Sequence, residues 1–397
     1  MRKVAADSPQ EWVVVGGGIH GVHIALRLIA EGGVDPEQLC LVDPAQELLA
    51  RWRSNTEVMG MAYLRSPAVH HLGPEHLSLL RYAGKRRERS AGLFALPYDR
   101  PALGLFNDHC AHLIRVFDLE RRHRRARALE CSIEAEQVRV RLSDGERIAA
   151  RQVVLALGAS EQPHWPDWAP REEPLVQHVL APDFSAWPED EAESVAVVGG
   201  GISAGHVAVR LAAAGHSVQL VTRHELREHQ FDSDPGWLGP KYMTRYQQTR
   251  DYVQRRATID RARHRGSLTP ELRRALRIRQ QRGEIRWHQA EVEGAQPLSH
   301  GVRLSLRGAA PLEVDRALLA TGFTTARPGG RLVDEMIRSA DLPCAPCGYP
   351  IVDTSLRWHP RVRVSGPLAE LELGPSARTI AGARRAADRI VPSQRIR

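Results

Sequence analysis

The chain has 397 residues, enough for two or three domains and a large core. At 42% hydrophobic and 26% charged it has the composition of a soluble globular protein, and no uninterrupted apolar segment is long enough to span a bilayer. The net charge of +8 fits anionic cofactors, acidic surfaces or nucleic acid, but the basic residues are scattered without a nucleic-acid motif, so a preference for arginine accounts for it and nucleic acid is not an expected partner.

Taken in chain order, residues 1–11 are polar and a strand follows at once, so no secretory leader is expected and the chain reads as cytoplasmic. The strand is the apolar run Trp12-Val13-Val14-Val15, and Gly16-Gly17-Gly18-Ile19-His20-Gly21 follows it. Gly16, Gly18 and Gly21 fill the pattern G-x-G-x-x-G. The first glycine allows a tight turn, the second lets backbone approach a pyrophosphate, and the third lets the helix pack closely on the strand. Ile19, Val22, Leu26 and Ile29 make one helical stripe, and a second apolar run ends in Asp43, where an acid accepts from a ribose hydroxyl. Strand, glycine turn, helix, strand and acid are all present, so a dinucleotide site is expected.

A helix-like run through Trp52-Arg53 comes next, then the segment 59–72 without clean periodicity, expected as loop with a short strand. His70 and His71 are adjacent, but a pair without a third ligand predicts no metal site. Residues 74–83 read as helix, and the charge run Lys85-Arg86-Arg87-Glu88-Arg89 as a solvated face. Phe106, Cys110, Leu113 and Phe117 space as the core stripe of a helix over 105–119. Alternation from Leu129 to Arg141, with Asp144-Gly145 as a turn, predicts a small antiparallel insertion before the buried strand Val153 to Gly158. The proline- and acid-rich stretch 162–190 reads as a linker.

A second unit then repeats the first: Val195-Ala196-Val197-Val198, then Gly199-Gly200-Gly201-Ile202-Ser203-Ala204. Ala204 takes the third glycine place. The next strand, from Ser217 to Val221, runs into Thr222-Arg223-His224, and Arg223 is expected where the first unit has its acid. An arginine accommodates a ribose 2′-phosphate that an acid would repel, so the second site should take NADPH. The region 227–282 is too long for a simple connection and is strongly basic. Its expected place is over the nicotinamide and any substrate, its basic helices serving as a solvated face, a phosphate-binding surface or a homo-oligomer contact. A strand ending in Ala320-Thr321-Gly322 mirrors the Gly158 strand.

Cys344-Ala345-Pro346-Cys347 is a lone C-x-x-C that reads as a redox pair or half a zinc site; no second pair exists for zinc, and the Pro-rich setting offers no helix N-terminus to activate a thiol. The five cysteines, Cys40, Cys110, Cys131, Cys344 and Cys347, are odd in number and spread out, which argues for a reducing compartment and against a disulfide framework. Val362 to Gly366 is a strand ending in glycine. A helix opening at Gly374-Pro375-Ser376 and running through Arg389, if its start faces a flavin, would stabilise negative charge on the reduced ring.

The expected fold is α/β, with two Rossmann-like FAD/NAD(P)-binding domains and small antiparallel insertions. Residues 1–190 would form the first part of an FAD-binding domain, 191–325 an NADPH-binding domain with a helical insertion at about 227–282, and 326–397 the C-terminal part of the FAD-binding domain.

The residues Gly16 to Gly21, the segment Met61 to Leu72, Gly199-Gly200-Gly201-Ile202-Ser203-Ala204 and Ala320-Thr321-Gly322 carry a resemblance. Over nearly its whole length the chain resembles two-dinucleotide-binding flavoproteins of the class B monooxygenase type, specifically the lysine/ornithine N-hydroxylase group. That resemblance implies FAD on Gly16, Gly17, Gly18, Ile19, Gly21 and Asp43, with Gly366 and the late Thr321 and Gly322 also at cofactor, and NADPH on Gly199, Gly201, Ser203, Ala204 and Arg223. It implies hydride transfer to the flavin, then a flavin hydroperoxide that oxygenates a soft nucleophile such as an amine nitrogen, with O2 and a small molecule as substrates. Arg65, Ser66 and His70 become flavin-proximal candidates. Arg65 stands where that group carries glutamine, and the insertion after Phe231 has no match to its amino-acid-binding residues. One rival is a flavin reductase without oxygenation, although Ile19 to Ala30 holds no cysteine pair. The other is a non-catalytic flavin-bound redox sensor or assembly subunit.

Overall fold

The computed structural model describes residues 9–84, 92–184, 187 and 191–391. The charge run at 85–89 therefore lies outside the described residues. Strand β1 (Gln10–Val15), helix α1 (Ile19–Ala30) and strand β2 (Leu39–Asp43) form the opening unit. Val13, Val14 and Val15 are β-branched and buried, as suits a strand covered on both faces of a parallel sheet. Helix α2 (Ala50–Met59) ends on Gly60 in the left-handed region, and helix α3 (Leu103–Val116) buries Phe106, Cys110 and Leu113. The basic segment after α3 forms strand β3 (His123–Arg125), pairing in parallel with β2. Strands β4 (Ala128–Ile133), β5 (Val138–Leu142) and β6 (Arg147–Leu155) make an antiparallel meander whose last strand runs on into the centre of the sheet beside β1.

The stretch read as a linker contributes strand β7 (Val176–His178) to the second sheet. Three residues at an edge carry too little periodicity to be read locally. Strand β8 (Ser194–Val198), helix α4 (Ile202–Ala213) and strand β9 (Ser217–Thr222) repeat the opening unit. The insertion holds helices α5 (Pro240–Gln248), α6 (Tyr252–Ala262) and α7 (Pro270–Gln281). Strands β10 (Ile285–Gln289) and β11 (Arg316–Leu319) complete an all-parallel sheet in the order β10-β9-β8-β11-β7. The chain then returns through helix α8 (Gly330–Ala340) and strands β12 (Arg357–His359) and β13 (Val362–Val364). The first sheet thereby reaches the order β12-β13-β6-β1-β2-β3, with β5 and β4 off its path.

The closing helix α9 (Ile380–Ile390) packs on α1 and buries Ile380, Ala383 and Ala387. It begins later than its sequence suggests. Gly374-Pro375-Ser376 leads only into a short 3-10 turn, and Thr379 caps α9 by accepting from the Gly382 N–H at 3.1 Å.

Candidate cofactor and active site

The two units superimpose in their bonding. The Gly16 N–H donates to the Val42 carbonyl at 2.8 Å and the Gly199 N–H to the Val221 carbonyl at 3.0 Å. Both glycines have positive φ, +115° and +148°. A Cβ on either would lie 2.5 Å from a carbonyl oxygen, that of Ala156 in one unit and Ala320 in the other. Any side chain would therefore push the crossing strand away from the turn.

In the first unit a Cβ on Gly21 would sit 1.7 Å from the Gly16 carbonyl oxygen, so the helix start lies against the turn. Gly18, the N-cap of α1, has open space around it and offers no side-chain cap, which leaves the first N–H groups of α1 available to a phosphate. Asp43 is held from both sides: Oδ2 accepts from the Gly17 N–H at 2.6 Å and Oδ1 from the Ala45 N–H at 2.9 Å. Gly366, at φ +65°, lies over the His20 ring, and His20 Nδ1 is 2.8 Å from the Ser365 hydroxyl. Burial pulls the His20 imidazole down to about 4, so it stays neutral at physiological pH. An uncapped helix start, open backbone at Gly18 and a fixed acid suit a dinucleotide pyrophosphate and ribose. The residues present fit FAD.

In the second unit, register corrects the expectation for Arg223. Val15 precedes Gly16 and pairs with Val42, while Val198 precedes Gly199 and pairs with Val221. Thr222, not Arg223, thus occupies the place of Asp43. Thr222 turns its hydroxyl to the His224 carbonyl at 2.8 Å and receives the Trp287 indole N–H, also at 2.8 Å. Arg223 is the next residue, exposed and without an ion-pair partner among the described residues, and it lines a cavity of about 1270 Å³. Gly199, Gly201, Ile202 and Ser203 form one side of that cavity, and Thr321 and Gly322 another. Ala204 is buried in the helix behind them. Helix α4 likewise has no side-chain cap, so its first N–H groups are available.

Arg227 and Arg265 line the same cavity, as do His164 and Trp168. Arg265 pairs with Asp260 at 2.9 Å. These four were not singled out in the sequence. They come from three distant segments, and no local spacing marks them. His178 was also missed. It is fully buried, its Nε2 lies 3.1 Å from the Thr321 hydroxyl, and Nδ1 accepts from the Leu180 N–H at 3.1 Å. Burial holds it down to about 4, and the Thr321 hydroxyl donates in turn to the His164 carbonyl. A neutral His178 carrying its proton on Nε2 therefore fixes Thr321 in the cavity wall.

The three flavin-proximal candidates share one loop but not one environment. Arg65 donates from Nε to the Gln230 carbonyl and from Nη2 to the His229 carbonyl, each at 2.7 Å, and from Nη2 to the Ser267 hydroxyl at 3.0 Å. It ties this loop to the base of the insertion. Ser66 is half-buried beside it, and burial, aided by the Arg384 charge, pulls half-buried His70 down to about 4. His71 uses Nε2 on the His76 carbonyl at 2.8 Å and Nδ1 on the Gly73 N–H at 3.1 Å.

The insertion packs on the C-terminal part of the first half. Met243, Tyr246 and Ile259 share a small core with Ala345, Tyr349 and Leu371. Around it, buried Glu370 pairs with Arg378 at 2.6 Å and with Arg256, and Glu372 pairs with Arg389 at 2.9 Å and Arg255 at 3.1 Å. Charge also separates the insertion from the rest, which corrects the reading of the basic residues as scattered along the chain. Residues 227–282 hold fourteen lysines and arginines against six acids, so the whole excess of eight lies there.

Comparison with known proteins agrees with this architecture. Residues 13–160 match the FAD-NAD(P)-binding family model and residues 123–261 the pyridine nucleotide-disulphide oxidoreductase model. No curated protein matches the sequence. Among solved structures, an ornithine hydroxylase from Pseudomonas aeruginosa is similar at TM-score 0.75 and 18% identity, over 97% of this chain and 98% of that one. An L-lysine 6-monooxygenase from Pseudomonas syringae is similar at TM-score 0.73 and 18% identity, over 96% and 98%. A bacillithiol disulfide reductase from Bacillus cereus is similar at TM-score 0.62 and 18% identity, over 97% and 98%. The chain has the two-dinucleotide-binding flavoprotein fold.

Proposed function

We propose that this chain, a two-dinucleotide-binding flavoprotein by fold, is an FAD-dependent, NADPH-using monooxygenase that oxygenates a soft nucleophile, an amine nitrogen. The observation that carries the reading is the division of labour between the two units. One has a closed glycine turn with a fixed acid. The other has an open cavity of about 1270 Å³ edged by Arg223, Arg227 and Arg265. The similarity to the ornithine and lysine monooxygenases, spanning nearly the whole of each chain, supports the choice of reaction.

FAD, when bound, would supply hydride acceptance and O2 activation, and the protein positions and shields it. The N–H groups at the start of α1 would hold the pyrophosphate, and Asp43 the adenosine ribose. The three arginines would hold the NADPH 2′-phosphate through charge-assisted bonds, each worth ~1.5–3 kcal/mol. Thr321, fixed by His178, would orient the dinucleotide against Gly322. Arg65 would keep the insertion seated over the reacting centre, excluding water. No helix among the described residues is long and apolar enough to cross a membrane, and the cytoplasm is the proposed compartment.

The test is a coupling measurement on the FAD-loaded protein. With NADPH, O2 and a panel of primary amines, one amine should lower peroxide release while NADPH consumption continues and oxygenated amine accumulates. A reductase would consume NADPH with a disulfide or quinone and leave every amine unchanged. A non-catalytic subunit would consume neither.

A further inference from the structure

The C-x-x-C motif is not used by the chemistry above. Its four residues bend around a tight turn. The Gly348 N–H donates to the Ala345 carbonyl at 2.8 Å, the Ala345 N–H donates to the Tyr349 carbonyl at 2.9 Å, and Cys344 bridges to Pro350. Gly348, at φ +77°, closes the turn in the left-handed region. The fold thus keeps the two cysteines on one short loop, three residues apart.

The two sulfurs have different surroundings. Cys347 is exposed, and it is the only exposed one of the five cysteines. Cys344 is half-buried, and burial pushes its thiol up. Cys40 and Cys131 are pushed up to about 11 and about 12 by burial, and buried Cys110 in the same direction. Beside Cys347 stands Arg256, whose guanidinium lies 4.2 Å from the Tyr349 ring centre. Arg256 Nε and Nη2 are buried without a hydrogen-bond partner. Its one acid, Glu370, is shared with Arg378, which leaves a net positive charge at the turn. An accessible thiol with a second thiol three residues away on the same turn is the arrangement of a redox-active pair.

We infer that Cys347 and Cys344 form a peroxide-oxidisable dithiol site, with Cys347 as the attacking sulfur and Cys344 as the resolving one. The Cys347 sulfur attacks one oxygen of hydrogen peroxide. An S–O bond forms, the O–O bond breaks, and the departing hydroxide takes the thiol proton as water. The Cys344 sulfur then attacks the sulfenic sulfur. An S–S bond forms, the S–O bond breaks, and a second water leaves with the Cys344 proton. Two thiols are oxidised and one peroxide becomes two waters. Arg256 stabilises the leaving hydroxide. The same turn carries Tyr349, whose hydroxyl donates to the carbonyl of Thr325, a residue of the cavity wall, at 3.0 Å. The inference stands whether or not the flavin reaction is a monooxygenation, since added peroxide is the oxidant tested.

The experiment treats the whole FAD-loaded protein with one equivalent of hydrogen peroxide, then counts thiols and maps peptides by mass. Two of the five thiols should disappear. The peptide spanning Cys344 and Cys347 should be lighter by two hydrogens, and dithiothreitol should restore it. Cys347→Ser should keep every remaining thiol. Cys344→Ser should leave a sulfenic acid at position 347 that dimedone captures, and Arg256→Gln should slow the oxidation about tenfold. Survival of all five thiols in the wild-type chain overturns the inference, as does a Cys347 oxidised while Cys344 stays free. Peptide mapping of the wild-type chain decides the matter even where a variant folds poorly.

Discussion

The two glycine turns are built alike and finished differently. The first is closed on itself: Gly21 is pressed against the Gly16 carbonyl, and Asp43 is bonded back to Gly17 at 2.6 Å. The second is open. The methyl of Ala204 lies 3.3 Å from where a Cβ on Gly199 would be, and Arg223 is exposed at the cavity edge. A resident cofactor suits the first arrangement, because nothing needs to move once it is in place. A nucleotide that arrives and leaves suits the second, where the exposed Arg223 edges a cavity.

The largest effect that could break this comparison is at the third glycine place. Gly21→Ala puts a carbon at 1.7 Å from a backbone oxygen, so the purified protein should contain no flavin or fail to fold, read by flavin absorbance and circular dichroism. Ala204→Gly removes a tolerated methyl and should change the NADPH KM only a few-fold. Equal damage at both places would erase the distinction between closed and open turns.

The charge at the strand ends comes next. Arg223→Ala should raise the NADPH KM by roughly 10- to 100-fold and leave NADH nearly unchanged, as the loss of one charge-assisted bond requires. Asp43→Asn should weaken FAD about tenfold, measured by fluorescence on reconstitution, with little effect on the nicotinamide preference. A shared loss of NADPH and NADH affinity would show that Arg223 does not read the 2′-phosphate.

Acid should act on both halves. Burial lowers His20, His70 and His71 to about 4 and His109 to about 3 in the first half, and His178 and His206 to about 4 in the second. The unfolded chain takes up protons near 6.5 while the folded chain resists them down to those lower values. The contribution of these groups to stability is therefore complete above about 6.5 and falls as pH drops from there toward about 4. Flavin release should accompany the lost stability across that window, and a stability flat from neutral pH down to about 4 would contradict the assignment.

Arg65→Ala should have the smallest effect. It removes three hydrogen bonds between the loop carrying Arg65 and the insertion, two of them to carbonyls at 2.7 Å. The melting temperature should fall by a few degrees and peroxide release should rise a few-fold. A change in NADPH affinity as large as that of Arg223→Ala would place Arg65 in the nucleotide site instead.

Both glycine turns, their strands and the acid Asp43 were legible because their signals are local: a glycine pattern, an apolar run and a helical stripe within about thirty residues. The rest depends on contacts between distant segments. Thr222 takes the place of Asp43 only once strand register is known. Arg265 reaches the cavity from inside an insertion, and His178 finds Thr321 from a stretch that reads as linker. Arg65, at the departure from the hydroxylase pattern, meets carbonyls more than 160 residues away. The closing helix starts at Ile380 rather than Pro375 because Thr379 supplies the cap, a competition between neighbouring start signals that tertiary packing decides.

The account is tested most directly by the fate of labelled dioxygen. With FAD-loaded protein, NADPH and an amine that suppresses peroxide release, one atom of the label should appear on the amine nitrogen of the product and the other in water. Label recovered only in peroxide and water, with the amine unchanged, would contradict the monooxygenase reading and leave a flavin reductase.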